Sequence, residues 1–177
     1  SNNTKKRKGD SMIDKNTLIL WLAEKDKILE KELILIAVGG TAMTLLGLKS
    51  STIDIDFCIN SEDLKTFEKI KDKNWKIDIF TDGYIFSEQL PSDYSEKAKE
   101  IKKMKHIQLK ALAPIDLIIT KAARFNARDE EDIATLVKFV KKEDFIKRFE
   151  EVVKTYAGKE EEYRYHKEII LKRFFTR

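Results

Sequence analysis

The chain has 177 residues, 42% hydrophobic and 37% charged, which is the composition of one globular domain of ordinary size. It has no apolar run near the roughly 20 residues of a membrane span, and its opening, SNNTKKRKGD, lacks the apolar centre of a signal peptide. We therefore expect a cytoplasmic protein with no membrane partner. One cysteine and two histidines exclude a disulfide and a conventional zinc site, so any metal must be held by oxygen atoms.

The net charge of +4 is located in the leader, at residues 5–8. Without those four cations the chain has 31 basic and 31 acidic residues, so it lacks the global basic surface that dominates non-specific nucleic-acid binding. We interpret residues 1–13 as a disordered leader or a tag.

The first predicted elements alternate between helix and strand. Residues 16–30 have a helical apolar stripe that includes Ile28, and residues 33–38, LILIAV, form a short β-branched run typical of a buried strand. Gly39 and Gly40 then predict a turn, which leads into a short helix that ends near Gly47.

Residues 52–59, TIDIDFCI, predict a continuous strand with two different faces. One face is apolar, and the other carries Asp54, Asp56 and Cys58, of which the cysteine is interpreted as a core residue. A helix over 61–72 and a strand over 75–80 follow.

The remainder is mainly helical. We interpret residues 83–106 as variable or mobile, with 95–106 as one exposed lysine-rich helix. A fourth strand is predicted over 107–112, and the helices after it are predicted to begin at Pro114, near Asp129, and over 143–156 and 160–174. The fold class is therefore α/β (α+β): a mixed sheet flanked by helices in a core over 14–112, with C-terminal helices over 113–177 packed on it.

Acidic residues on neighbouring strands predict a divalent-metal site. Asp54 and Asp56 are two residues apart in a strand and project to the same side, and Asp78 lies in the next predicted strand. Clustered carboxylates are stable at neutral pH mainly when they bind cations, and Mg²⁺ or Mn²⁺ prefers such oxygen ligands. Two such ions would suit a phosphoryl displacement.

The glycine turn is predicted to bind phosphate. Gly39 and Gly40 let backbone N–H groups approach a triphosphate, and the helix that follows begins at the same place. Hydroxyl donors for the phosphates are available nearby, at Thr41 and Thr44 or at Ser50, Ser51 and Thr52.

These motifs resemble a known family. Val38-Gly39-Gly40, thirteen intervening residues, Asp54-Ile55-Asp56 and then Asp78 in KIDIF resemble the nucleotidyltransferases of the polymerase β type. Within that family, the segment VGGTAMTLLGLKSSTIDIDF is most similar to sequences of the branch that contains the AbiEii-type toxins of toxin–antitoxin systems. That branch also tends to carry a helix with Lys-x-x-Arg and a following Arg-Asp-x-x-Asp, here at Lys121 to Asp132. Many relatives have Gly-Ser where this chain has Gly40-Thr41.

The resemblance implies a nucleotidyltransferase fold and a reaction. Asp54 and Asp56 would hold two Mg²⁺ (or Mn²⁺) ions with the phosphates of an NTP such as ATP, and Asp78 would share a metal and help to deprotonate the acceptor hydroxyl. The implied nucleotide-binding residues are Gly39, Gly40, Thr41, Ser51, Thr52 and Lys121. The acceptor would be RNA, a protein or a small molecule, and an antitoxin is an implied partner.

Simpler interpretations stay open beside these. The Asp-x-Asp pair also fits a solvated strand face, Lys121 a helix surface, and Asp132 a helix cap. His106 and His166 are interpreted as surface residues. At the level of function, the alternative to an enzyme is a catalytically inactive nucleotidyltransferase-fold module that binds a nucleotide or a partner. A weaker alternative is RNA binding through the lysines of residues 97–105.

Overall fold

The computed structural model describes residues 12–176, which form two compact units. The first unit comprises residues 12–82 and Lys99–Ala111, and the second comprises Gly83–Ala98 and residues 112–176. The proposed leader lies almost wholly outside the described residues. Residues 83–98, which were predicted to lie in the core segment, cluster with the helices of the second unit, so the first unit is not continuous in the chain.

The elements alternate early in the chain and become helical late. In chain order they are β1 (Ile13–Asp14), α1 (Lys15–Asp26), β2 (Leu33–Ala37), α2 (Gly39–Leu45), β3 (Ser51–Thr52), β4 (Ile55–Ile59), α3 (Leu64–Glu68), β5 (Ile77–Thr81), β6 (Tyr84–Ile85), β7 (Glu88–Gln89), α4 (Tyr94–Lys97), β8 (Lys99–Lys103), β9 (Ile107–Ala111), α5 (Pro114–Ala122), α6 (Ala127–Leu136), α7 (Lys142–Val153) and α8 (Glu160–Phe174). Every helix within residues 12–176 is too short or too polar to cross a membrane. The predicted α/β class, with a mixed sheet and a helical C-terminal region, is confirmed.

A mixed sheet forms the centre of the first unit. Its strands lie in the order β5-β4-β2-β9-β8. The strand β2 pairs antiparallel with β4 and parallel with β9, while β4 and β5 are parallel and β8 and β9 are antiparallel. The short strands β1 and β3 pair separately. Residues of β2 are buried on both faces of the sheet, Leu33, Leu35 and Ala37 on one and Ile36 on the other, which explains why its sequence is almost entirely apolar.

One side of this sheet supplies most of the first unit's core. Side chains at alternate positions on the three central strands are 2% exposed or less: Leu33, Leu35 and Ala37 on β2, Ile55, Phe57 and Ile59 on β4, and Ile107, Leu109 and Ala111 on β9. The helix α2 packs against β2, β4 and β9, and its Ala42, Met43 and Leu45 are buried. Burial of these alternating positions fixes the register, because a shift of one residue would exchange the two faces of a strand.

A buried carboxylate joins the end of α1 to the start of β9. Asp26 is 8% exposed, and its Oδ1 accepts hydrogen bonds from the backbone N–H groups of His106 at 2.8 Å and Ile107 at 2.7 Å. Burial opposes ionisation of Asp26, but the backbone donors of Ile107 and His106 outweigh it and hold the pKa of this carboxyl below its usual value. His106, which bonds to Asp26 through its backbone N–H group, was predicted to be a surface residue but is half-buried.

The second unit is held together by a buried ion pair. The guanidinium of Arg148 on α7 donates two hydrogen bonds to Asp116 on α5, at 2.7 and 2.9 Å, and a third to Asp93 at 2.6 Å. Asp116 is fully buried and Arg148 is 5% exposed. Because Asp93 lies in the 83–98 segment, this triad fastens that segment to α5 and α7 and explains why it groups with the helices.

Several predicted boundaries of helices and strands were wrong. The helix predicted to reach residue 30 ends at Asp26, which leaves Ile28 56% exposed. The strand predicted over 52–59 is interrupted at residues 53–54, where Ile53 is 42% exposed. The helix predicted over 61–72 is one 3-10 turn followed by α3 (Leu64–Glu68).

The largest error concerns residues 95–106. The lysine-rich run favours a helix by local propensity, yet only Tyr94–Lys97 is helical and Lys99–Lys103 forms the strand β8. Pairing with β9 decides the outcome, since the backbone groups of β8 bond along β9 and a tight turn closes with Met104 N–H donating to the Ile107 carbonyl at 2.7 Å. Tertiary pairing here overrides propensity.

We expect Asp26→Ala to lower the free energy of unfolding by about 1–3 kcal/mol, because it leaves two backbone N–H groups without their acceptor. Asp26→Asn keeps one side-chain carbonyl oxygen and should lose less. Since folding lowers the pKa of Asp26, its contribution is complete above the unfolded pKa and disappears as the pH falls through the folded value. Urea denaturation at pH 7 and at pH 3 measures both effects, and equal pH dependence in wild type and Asp26→Asn would contradict the assignment.

Candidate functional site

The glycine turn lies at the end of the central strand. Gly39 has a φ of 55°, in the left-handed region that favours glycine, and it begins α2 directly after Val38. A Cβ atom on Gly40 would lie 3.0 Å from the Thr52 hydroxyl oxygen, so a side chain there would crowd Thr52. The two glycines are therefore needed for different reasons, one for backbone conformation and the other for close packing.

The Thr41 hydroxyl connects this turn to the Asp-x-Asp segment. It donates to the backbone carbonyl of Asp54 at 3.0 Å and accepts from the backbone N–H of Asp56 at 3.0 Å. The Thr52 hydroxyl also donates to the Asp54 carbonyl, at 2.8 Å, and the Val38 N–H donates to the Asp56 carbonyl at 3.1 Å. Thr41 and Thr52, predicted as phosphate donors, thus use their hydroxyls to position the aspartates, while Ser51 pairs with Asp14 in the β1–β3 ribbon.

The three aspartates occupy the same end of two parallel strands. Asp56 and Asp78 are direct register partners on β4 and β5, so their side chains project from one face with about 4.8 Å between the strands. Asp56 is half-buried and Asp78 is exposed. Asp54 is exposed in the bend that precedes β4, rather than in the strand as predicted.

The acidic residues do not form a complete metal cage. Within residues 12–176 there is no group of three or more His, Cys, Asp or Glu side chains close enough to hold a metal ion. Mg²⁺ is usually bound by one or two carboxylates together with waters and substrate phosphates. The register pair Asp56 and Asp78, with Asp54 nearby in sequence, fits an ion that binds together with a phosphate ligand.

The second unit buries the lysine that was expected to bind the triphosphate. Lys121 is 2% exposed, and its Nζ donates to Asp132 at 2.9 Å and lies 3.7 Å from Asp129. The surface interpretation of Lys121 is therefore wrong. So is the capping interpretation of Asp132, because the capping box of α6 is formed by Asn126 and Asp129.

Asp129 is also bonded by an arginine. The guanidinium of Arg124 donates to both of its carboxylate oxygens at 2.9 Å. Burial opposes ionisation of Asp129, but Arg124, the Asn126 N–H and Lys121 together hold the pKa of this carboxyl below its usual value. The Lys-x-x-Arg and Asp-x-x-Asp residues thus pair with each other within the second unit.

A family model matches residues 14–175, nearly the whole chain, and its description is nucleotidyltransferase of unknown function (DUF6036). The chain belongs to this family. Membership agrees with the fold observed here and makes a nucleotide the expected substrate of this nucleotidyltransferase. No curated protein and no solved structure matches the chain.

Sequence reasoning missed two notable residues of this nucleotidyltransferase. Lys110 lies on the polar side of β9, which the alternation in IQLKAL indicates, but only the strand order shows that this side is shared with Asp56. Glu88 is fully buried on β7, and its carboxylate accepts from the N–H groups of Ser87 and Ala123, both at 3.3 Å. No sequence signal singled out Glu88.

His166, predicted at the surface, is half-buried with Nδ1 2.7 Å from the Ala122 carbonyl.

We expect Lys121→Met to destabilise the protein by about 3–5 kcal/mol, because it removes the ammonium group from the buried carboxylate of Asp132. The double variant Lys121→Met with Asp132→Leu should recover part of that loss. Lys138→Met, an exposed lysine on the same unit, is the control and should change stability by less than about 0.5 kcal/mol. Urea denaturation measures all three. A fully stable Lys121→Met protein would contradict the structural role.

Burial raises the pKa of Glu88 to about 8 from an ordinary 4.5, so this carboxyl is protonated in the folded protein at neutral pH. Its contribution to stability is complete below pH 4.5 and declines as the pH rises towards 8, because the unfolded chain releases the proton first. Glu88→Gln should remove this dependence. We expect the stability difference between wild type and Glu88→Gln to change between pH 5 and pH 8.5 in urea denaturation, and a constant difference would contradict a raised pKa.

Proposed function

We propose that the protein is a metal-dependent nucleotidyltransferase that transfers NMP from an NTP to a hydroxyl group of RNA, a protein or a small molecule. The observation that carries this proposal is the register pair Asp56 and Asp78, next to the glycine turn, in a member of a nucleotidyltransferase family. A third carboxylate that lay on the opposite face would have favoured a non-catalytic module instead.

The first unit supplies a group for each part of the reaction. Asp54 and Asp56 would hold Mg²⁺ or Mn²⁺ together with the nucleotide, and Asp78 would share a metal. When bound, the ion would offset charge on the phosphates as they react. Gly39 and Gly40 leave the backbone open for the phosphate chain, while Thr41 and Thr52 keep the aspartate segment in place.

The proposed transfer step uses these positions. The acceptor oxygen forms a bond to the α-phosphorus, and the bond from that phosphorus to the β-phosphate oxygen breaks, which releases pyrophosphate. Asp78 is exposed on the shared face and would accept the proton of the acceptor hydroxyl before it passes to solvent. The wider assignment to the polymerase β-like superfamily and a toxin role with an antitoxin partner are part of this proposal through the resemblance of the VGGT and DID motifs. A cytoplasmic location is part of it through the composition of the sequence.

We expect label transfer from α-labelled NTPs, ATP first, to an RNA pool, a protein pool or small polyols in the presence of Mg²⁺ or Mn²⁺. Asp56→Asn and Asp78→Asn should reduce the rate by about two orders of magnitude or more, because each removes a metal-ligating or proton-accepting carboxylate. Asp144→Asn, an exposed aspartate on α7, makes the same change of charge and should retain the wild-type rate.

Two outcomes would contradict the enzymatic proposal. Equal transfer by wild type and Asp56→Asn would place the activity elsewhere. Calorimetric binding of Mg-ATP by wild type, without label transfer to any acceptor, would favour the nucleotide-binding module.

A further inference from the structure

The turn that precedes β5 is held against α1. The carboxylate of Asp72 accepts hydrogen bonds from the backbone N–H of Asn74 at 2.9 Å and from the indole N–H of Trp21 at 3.4 Å. Lys25 pairs with the same carboxylate at 3.7 Å. The ring of Trp75 stacks on that of Trp21, with the ring centroids 5.1 Å apart. These contacts with α1 position the chain immediately before β5 begins.

This anchoring sets the direction of Lys76. Successive side chains of an extended chain point to opposite sides. Trp75 and Ile77 are half-buried, and Lys76 and Asp78, which alternate with them, are exposed. Because the stacking on Trp21 directs Trp75 towards α1, Lys76 projects to the opposite side, which is the side of Asp78. Two residues of extended chain separate the Cα atoms of Lys76 and Asp78 by about 6.6 Å.

The order of the strands gives the acidic site two sides. The glycine turn follows β2, Asp56 lies on the neighbouring strand β4, and Asp78 lies on β5 beyond it. A phosphate chain bound at Gly39 and Gly40 would therefore lie on the β2 side of Asp56. The acceptor, which gives its proton to Asp78, would lie on the β5 side. Lys76 belongs to this acceptor side.

The ammonium group of Lys76 can bind a ligand. In the part of the chain that the structure describes, no carboxylate pairs with Lys76, although Lys71 on the same segment pairs with Glu68 at 3.9 Å. An anionic acceptor would be repelled by the triphosphate and by the carboxylates as it approached Asp78. A cation next to Asp78 on the acceptor side offsets that repulsion.

We propose that Lys76 binds a phosphate group of the acceptor, and that the acceptor is a ribose hydroxyl with a phosphate on the same nucleotide. The inference rests on the proposed function and selects among its acceptors. An RNA end or a nucleotide carries a hydroxyl and a phosphate on one ribose, whereas a neutral polyol and an unmodified serine or threonine side chain carry no phosphate. Lysine binds phosphate as a compact positive charge, which suits this role.

The test measures label transfer from α-labelled NTPs with Mg²⁺ to a short single-stranded RNA, a ribonucleoside 5′-monophosphate, the matching ribonucleoside and a serine-containing peptide. We expect Lys76→Met to raise KM for the two phosphate-bearing acceptors by about tenfold or more, because a hydrogen bond between charged groups is lost. The kcat for these acceptors, KM for the ribonucleoside and calorimetric Mg-ATP binding should stay at their wild-type values. Lys76→Arg should restore most of the acceptor affinity.

Salt dependence supplies a readout that a purely structural role would not change. Loss of one phosphate contact should reduce the slope of log affinity for single-stranded RNA against log salt by about 0.7. The matched control is Lys65→Met, which removes the same charge from an exposed lysine of α3 in the same unit and should behave as wild type in every assay. Thermal unfolding checks that each variant is folded, and Lys76→Gln is a second neutral variant.

The outcomes separate this inference from the function on which it rests. A lower KM for RNA than for the mononucleotide identifies an RNA end as the acceptor, and equal values identify the nucleotide itself; both results support the proposal. Wild-type transfer to the peptide but to neither phosphate-bearing acceptor, or an unchanged KM in the folded neutral variants, would overturn the role of Lys76 alone. Weaker Mg-ATP binding by those variants would also overturn it, since Lys76 would then act on the nucleotide side. Absence of label transfer by wild type to every acceptor would overturn both.

Discussion

The arrangement of the first unit's site depends on hydrogen bonds to the backbone of the Asp-x-Asp segment, and the hydroxyl group of Thr41 makes two of them. Thr41 Oγ1 donates to the carbonyl of Asp54 and accepts from the N–H of Asp56, so it joins the glycine turn to both ends of the Asp-x-Asp segment. A bend interrupts the strand at residues 53–54, and the β-ladder does not hold the backbone there. Because Thr41 is fully buried, these bonds are shielded from water and fix the start of β4 relative to β2.

The second unit uses its charges differently. Arg148 pairs with Asp116 and Asp93, and Lys121 pairs with Asp132, each around a nearly fully buried group. Buried ion pairs add little net stability compared with apolar packing. Removing one member is nevertheless costly, because it leaves the other charge buried without a partner. Within the second unit these pairs link α7 to α5 and α5 to α6, and the Lys-x-x-Arg and Asp-x-x-Asp side chains that resemble a ligand-binding set are bonded to each other.

Local sequence signals predicted the strands and helices that bury regular apolar patterns. The run LILIAV and the alternation in IQLKAL each became a strand of the sheet, and Pro114 begins a helix. The helix predicted over residues 95–106 was wrong because strand β8 is stabilised by its pairing with β9. Local helix propensity does not reveal that pairing. The sequence alone likewise could not predict that Asp56 and Lys110 lie on the same face of the sheet, because that prediction requires the strand order β4-β2-β9.

The residue type at position 41 follows from this geometry. What position 41 must provide is one hydroxyl that both donates and accepts, and serine and threonine meet that requirement equally. The extra methyl group of threonine restricts χ1 and so reduces the number of orientations that its hydroxyl samples. Thr41 therefore links the turn to the aspartates, and the one O–H group of its side chain is donated to the Asp54 carbonyl.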